Sequence, residues 1–65
     1  MRVNTIKISV LLAEKELTLS EFSVTSGIPY STLYFIMKKK RNGTINTVGK
    51  IAKALNCKIT DVLEE

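Results

Sequence analysis

The stretch TLSEFSVTSGIPYSTLYFIMK, residues 18–38, decides the fold of this 65-residue chain. Thr18 and Glu21 have the spacing of a capping box, in which the first residue caps a helix and the second bonds back to the cap amide. Gly27 ends that helix, because it adopts a left-handed conformation without a Cβ penalty. Pro29 then favours a new helix start. We predict two helices joined by a tight turn, at about 19–26 and 30–38.

Apolar residues recur at helical spacing on both sides of this stretch. Ile8 and Leu12 belong to the inward face of a first helix, and Val48 and Ile51 to that of a fourth. Asn56 stands where a left-handed C-cap is expected. The chain is thus predicted to be a single all-α domain, residues 1–65, folded as a compact five-helix bundle. The outer helices are predicted at about 4–16, 45–55 and 59–64.

The third helix has two different faces. Leu33 and Ile36 form its inward stripe, and Tyr30 and Met37 lie at the edge of that stripe. The residues that point away from it are Ser31, Tyr34, Phe35 and Lys38. A helix-turn-helix holds such an outer face as a ridge that fits the major groove of B-DNA.

Charge is distributed unevenly along the chain. The net charge is +4, and residues 22–60 contain basic residues but no acid. The basic residues of this segment are Lys38, Lys39, Lys40, Arg41, Lys50, Lys53 and Lys58. This pattern favours a polyanionic partner, although a solvated lysine-rich loop has the same composition.

Composition gives little support to catalysis, metal binding or membrane insertion. The chain has no His, one Cys and no glycine-rich phosphate loop, so we expect no enzyme activity, cofactor, metal or small-molecule ligand. Its start does not resemble a signal peptide, and no apolar run reaches the ~20 residues of a membrane span. Cys57 is expected to be a small buried apolar side chain, with a redox-active thiol as the alternative. A lone cysteine fits a reducing compartment such as the cytoplasm.

Four stretches resemble the Cro/repressor-type (XRE-like) helix-turn-helix family: LLAEKELTLSEF, SGIPYSTLYFI, KKKRNGTINTVGKIAKALN and ITDVL. They cover about residues 6–63 at the family spacing without insertion. The resemblance implies a lambda-repressor-like DNA-binding fold. It also implies sequence-specific binding of double-stranded DNA in transcription control, by a homodimer that places helix 3 in the major groove.

The resemblance also implies roles for individual residues. The implied base-contacting residues are Tyr30, Ser31, Tyr34 and Phe35. The implied phosphate-contacting residues are Thr18, Leu19, Lys38, Lys40, Arg41, Asn42 and Thr44. The implied dimer interface comprises Ile59, Val62 and Leu63.

Five positions depart from the family pattern: Leu19, Ser23, Ser26, Phe35 and Lys58. Two of them concern the DNA-facing surface. Leu19 stands where the family often has Gln, and Phe35 replaces a position that is usually polar. Both substitutions make the DNA-facing surface more apolar, so a protein-interaction module with a vestigial DNA face is the main alternative. Tyr30 and Tyr34 have the spacing of a packing pair as well as of groove contacts. RNA binding is a third possible function, but the chain lacks the β-sheet with exposed aromatic residues that many RNA-binding modules use.

Overall fold

The computed structural model describes residues 2–39 and 42–64, and this part of the chain contains five helices. They are α1 (Thr5–Glu14), α2 (Leu19–Ser26), α3 (Tyr30–Lys38), α4 (Ile45–Ala54) and α5 (Ile59–Val62). The all-α fold class is confirmed. The bounds of α2 and α3 coincide with those predicted from the sequence, whereas α1, α4 and α5 are shorter than predicted.

The first helix is shorter because it is capped at both ends. The Asn4 side chain accepts a hydrogen bond from the Lys7 N–H at 3.0 Å, which makes Asn4 the N-cap. At the other end, Glu16 has a φ of 57°. The Leu17 N–H donates to the Leu12 carbonyl at 2.9 Å, and the Glu16 N–H donates to the Ala13 carbonyl at 3.0 Å. These two bonds form a Schellman motif, which ends α1.

The fourth helix ends in the same way. Asn56 has a φ of 57°, as predicted for a left-handed cap. The Cys57 N–H donates to the Ala52 carbonyl at 3.0 Å, and the Asn56 N–H donates to the Lys53 carbonyl at 3.1 Å. Cys57 then packs, half-buried, against the core. The motif thus stops α4 and directs the chain into α5.

The two ends of the described chain pair with each other. Val3 and Leu63 form an antiparallel β-bridge. The Asn4 N–H donates to the Val62 carbonyl at 2.8 Å, and the Glu64 N–H donates to the Arg2 carbonyl at 3.0 Å. Leu63 is extended, with φ −91° and ψ 146°, so α5 stops one residue earlier. The predicted helices at 4–16 and 59–64 both extended into this pairing, and their ends are corrected accordingly.

The core consists of apolar side chains from all five helices, from the chain end and from the α2–α3 turn. α4 packs against α2 and α5, and α2 packs against α3. The buried residues are Val3, Ile8, Leu12, Phe22, Ile28, Leu33, Ile36, Val48, Ile51, Ala52, Leu55 and Val62. Since α3 contributes only two of them and Met37 packs partly buried beside them, the opposite face of α3 is available to a partner.

Candidate nucleic-acid interface

The capping box at the start of α2 forms as predicted. The Glu21 N–H donates to Thr18 Oγ1 at 3.1 Å, and the Thr18 N–H donates to Glu21 Oε1 at 2.9 Å. Phe22 follows in the core with no exposed area, and Leu17 packs partly buried against the same core. This arrangement fixes the angle at which the chain enters α2.

The turn between α2 and α3 depends on Gly27. Its φ is +72°, and its N–H donates to the Ser23 carbonyl at 3.1 Å. The Ile28 N–H donates to Ser26 Oγ at 3.3 Å, and the Ile28 side chain is buried. Pro29 precedes the first residue of α3 with φ −56°. The turn is therefore held by one backbone hydrogen bond, one bond to the Ser26 hydroxyl and the buried Ile28 side chain.

The outer face of α3 is exposed, as its helical spacing predicted. Leu33 and Ile36 point into the core. Tyr30, Tyr34 and Phe35 keep 47%, 38% and 43% of their area exposed. Ser31 and Lys38 are exposed on the same side. All four residues implied as base-contacting thus lie on a surface that the monomer leaves open.

Three aromatic side chains on this face contact one another, and we call Tyr30, Tyr34 and Phe35 the aromatic ridge. The ring centroids of Tyr30 and Tyr34 are 6.3 Å apart, and the rings are tilted by 33°. The centroids of Tyr34 and Phe35 are 5.9 Å apart, with ring planes at 79°. The second pair is edge to face, an arrangement that stabilises the relative placement of two aromatic rings. Tyr30 and Tyr34 are thus a packing pair that also remains exposed.

A groove runs along one side of α3. It has a volume of about 230 Å³, and its walls include Leu19, Met37 and Lys38 together with the end of α1. Leu19 is half-buried and packs against the core. Its side chain is therefore engaged in packing, and its backbone N–H is the group that remains for an anion. The groove brings the start of α2 close to Lys38.

A second groove lies on the opposite side of α3. Its volume is about 210 Å³, and its walls include Phe35, Asn42 and Thr44. Gly43 between them is buried, and a Cβ added there would lie 3.2 Å from Val48 Cγ2. The absence of that Cβ lets the loop approach the core closely. Asn42 and Thr44, both implied as phosphate-contacting, are thereby held next to the aromatic ridge.

Both grooves end at the N-terminus of a helix. Thr44 caps α4, because its Oγ1 accepts from the Thr47 N–H at 3.2 Å. The backbone N–H groups of the first two residues of a helix have no partner within that helix. In α2 these belong to Leu19 and Ser20, and in α4 to Ile45 and Asn46. Such groups carry the positive end of the helix dipole and bind phosphate.

The lysines near these grooves are not neutralised by acids. Within residues 2–39 and 42–64, the one ion pair joins Arg2 and Glu64 at 3.7 Å. Lys38 and Lys39 are exposed at the end of α3. Lys40 and Arg41, which were also implied as phosphate-contacting, lie outside the described residues. The positive charge of Lys38 and Lys39 is thus available to an anionic partner.

The bond from the Thr18 amide to Glu21 was predicted from the sequence, but its consequence for phosphate binding was not. This bond places the negative charge of Glu21 at the N-terminus of α2. Thr18 was implied as phosphate-contacting, but its amide is already bonded. The signal was present in the capping box itself, since the acid that stabilises the helix also repels a phosphate at the same point.

The implied dimer interface is only partly exposed. Ile59 retains 36% of its area and Leu63 is half-buried beside Val3. Val62 has no exposed area, because it fills the core between α5 and the rest of the bundle. A side chain without accessible surface cannot contact a second subunit, so Val62 is removed from the predicted interface.

Ile45 is an apolar surface residue that the sequence reading did not single out. It is 55% exposed on α4, one turn before Gly49. A Cβ at Gly49 would lie 3.9 Å from Ile59 Cδ1, so this face of α4 adjoins α5. Ile45 and Ile59 therefore belong to one side of the molecule. The sequence did not show that both side chains are exposed there.

Cys57 is half-buried, so it is neither the fully buried apolar side chain nor the fully accessible thiol that the sequence left as alternatives. Burial raises the pKa of its thiol above the ordinary 9.0, and the nearby Asp61 carboxylate raises it further. A raised pKa keeps the thiol protonated and weakly nucleophilic.

Two classes of feature are not found in residues 2–39 and 42–64. None of their helices is both long enough and apolar enough to cross a bilayer. Nor do His, Cys, Asp and Glu side chains in this part of the chain gather into a group of three that could hold a metal.

Comparisons with known proteins agree with this geometry. A family model described as a Cro/C1-type HTH DNA-binding domain matches residues 7–64. An uncharacterized HTH-type transcriptional regulator of Methanocaldococcus jannaschii is 49% identical over 45 residues. The match covers 69% of this chain but 26% of that regulator. No solved structure matches the chain significantly. The match to the family model shows that the chain belongs to the Cro/C1-type helix-turn-helix DNA-binding domain family.

Proposed function

We propose that this chain is a small transcriptional regulator that recognises a specific sequence in double-stranded DNA, with α3 in the major groove. The observation that carries the proposal is the exposed outer face of α3 between two grooves, each of which leads to a helix N-terminus. Bases would contact the ridge of the helix, and phosphates would contact its two sides.

Base contacts are assigned to Tyr30, Ser31, Tyr34 and Phe35. All four are exposed and lie in the first two turns of α3. Hydroxyl groups of Tyr and Ser can bond to base edges or phosphates, whereas the Phe35 ring offers apolar contact alone.

Phosphate contacts are assigned to two groups of residues. On one side of α3 they are Lys38 and the backbone N–H of Leu19, and on the other they are Asn42 and Thr44. Lys40 and Arg41, which come between Lys38 and Asn42 in the sequence, are assigned to the same role. The Thr18 amide is the weakest member, because Glu21 already accepts its hydrogen bond.

A homodimer is also part of the proposal, because one helix offers few base contacts. Two copies would bind half-sites about 34 Å apart. The residues available for their contact are Ile59, Leu63 and Ile45. The activity is assigned to the cytoplasm, the reducing compartment that a single thiol fits.

Titration with mixed-sequence duplex DNA at two salt concentrations tests this function. The three basic side chains assigned to phosphates, Lys38, Lys40 and Arg41, predict that the affinity of one subunit falls about fortyfold between ~50 and ~200 mM salt, because counterions are released from the DNA. Lys38→Ala should weaken binding to every duplex alike and lower the salt slope by about 1. Absence of binding at ~50 mM salt would contradict the proposal and favour the protein-interaction alternative.

A further inference from the structure

The outer face of α3 has an unusual set of chemical groups for a base-reading helix. Residues 30–38 contain no Arg, Asn, Gln, Asp or Glu. Paired hydrogen bonds to guanine need Arg or Lys, and those to adenine need Asn or Gln. Lys38 is the single such residue, and it lies in the last turn beside the Leu19 groove. The first two turns therefore have no side chain for a paired hydrogen bond to a purine.

The aromatic ridge occupies the position where those polar side chains are missing. Tyr30, Tyr34 and Phe35 are each between one third and one half exposed. Their rings contact one another at 6.3 Å and 5.9 Å, nearly edge to face for the second pair. These ring contacts restrict the side chains before any partner binds, so less side-chain freedom is lost on binding.

One apolar group is available to such a surface in the major groove, namely the C5 methyl of thymine. We infer that the aromatic ridge recognises thymine methyl groups, with Tyr34 and Phe35 as the specificity-determining residues. This inference rests on the proposed DNA binding and names the chemical group that is recognised. It predicts sites with thymines at the positions under Tyr34 and Phe35. It also predicts weak discrimination between guanine and adenine there.

Replacement of thymine by deoxyuridine tests the inference, because it removes the methyl and leaves base pairing intact. A bound site is first selected from a random duplex library with the wild-type chain. Each thymine is then replaced singly. We expect about three- to tenfold weaker binding at one or two positions, the range for loss of one buried methyl. Binding to random duplex should be unchanged by the same replacement.

Variants assign the effect to a residue. Phe35→Ala should lose the thymine-to-uracil difference at one position, and Tyr34→Phe should keep it at the other, because the ring remains. Lys53→Ala, on the exposed surface of α4, is the matched control and should retain both differences. Since the wild-type series needs no variant, poor folding of Phe35→Ala would not decide the result.

The outcomes separate the two proposals. Specific binding that is equal for thymine and uracil at every position would overturn the methyl-recognition inference and leave DNA binding in place. Failure to select any duplex would overturn the proposed function and this inference together, and would assign the aromatic ridge to a protein partner. The inference is supported if methyl removal weakens binding of the wild type at a position where it no longer weakens binding of Phe35→Ala or Tyr34→Ala.

Discussion

The Thr18 N–H donates to Glu21 Oε1 at 2.9 Å, so the N-cap amide that precedes α2 is bonded to a carboxylate on the surface proposed for DNA. The same contact stabilises the helix and weakens its attraction for phosphate. The N-terminus of α4 lacks this conflict, because the residue equivalent to Glu21 is Thr47, which is uncharged and whose hydroxyl bonds to Thr44 Oγ1. The two helix ends are therefore expected to differ in their contribution to phosphate binding.

Glu21→Gln should strengthen DNA binding with little change in stability. Gln is accepted in a capping box, so the free energy of unfolding should stay within about 0.5 kcal/mol. Loss of the negative charge should raise the affinity for duplex DNA about two- to fivefold at ~50 mM salt, and less at higher salt. Fluorescence titration measures the affinity, and thermal unfolding measures the stability.

Glu64→Gln is the matched control for this variant. It removes the same charge from the paired chain ends, where Glu64 contacts Arg2. It should change the affinity less than Glu21→Gln does. Equal gains from both variants would show that only net charge matters and would argue against a phosphate near α2.

Gly27→Ala should destabilise the chain through the backbone alone. A Cβ at Gly27 would meet no atom within 4 Å, yet the φ of +72° remains unfavourable for Ala. The expected cost is about 1–2 kcal/mol. Gly27→Asn should cost less, because Asn tolerates the left-handed conformation better. Urea unfolding of the three proteins measures the order, and equal stability of Ala and Gly at this position would contradict it.

Glu16→Gly should stabilise the chain. Glu16 ends α1 with a φ of 57°, a conformation that favours glycine. The free energy of unfolding should rise by about 0.5–1 kcal/mol. Ser9→Gly, within α1, is the control and should lower it by about 0.5 kcal/mol. If both glycines destabilised the protein, the Schellman end of α1 would not form in solution.

We expect ionisation of the Cys57 thiol to lower the stability of the folded chain at alkaline pH. Burial, and secondarily Asp61, raises the pKa of the folded thiol above 9.0, so the folded state holds its proton more tightly than the unfolded state does. This contribution is present below pH 9.0 and decreases as the pH rises through the folded-state pKa. The wild type should therefore lose stability relative to Cys57→Ala above about pH 9. Parallel pH profiles of the two proteins would contradict the shift.

Local signals accounted for the part of the fold that carries the site. The capping box, the glycine turn and the proline all lie within residues 18–30 and act over four residues or fewer, so α2 and α3 could be predicted with their bounds. The pairing of Val3 with Leu63 could not, because one bridge between distant residues leaves no periodic pattern. It sets the start of α1 and the end of α5, whereas the Schellman motif sets the end of α1.

In the candidate site, too, features set by local sequence could be predicted and features set by packing between distant residues could not. The exposure of Ser31 and Tyr34 follows from helical phase, which the sequence contains. The position of Phe35 beside Asn42 and Thr44 depends on how the loop folds back over the core. The loop lies so close to the core that a Cβ added at Gly43 would be 3.2 Å from Val48 Cγ2.

Amide chemical-shift mapping of the ¹⁵N-labelled chain with a duplex at ~50 mM salt tests the central claim most directly. The account predicts the largest shifts at Ser31, Tyr34 and Phe35 and at the amides that begin α2 and α4. The shifts at a fixed duplex concentration should decrease as salt is raised to ~200 mM. Shifts confined to α1 and α5, with the outer face of α3 unaffected, would contradict the account.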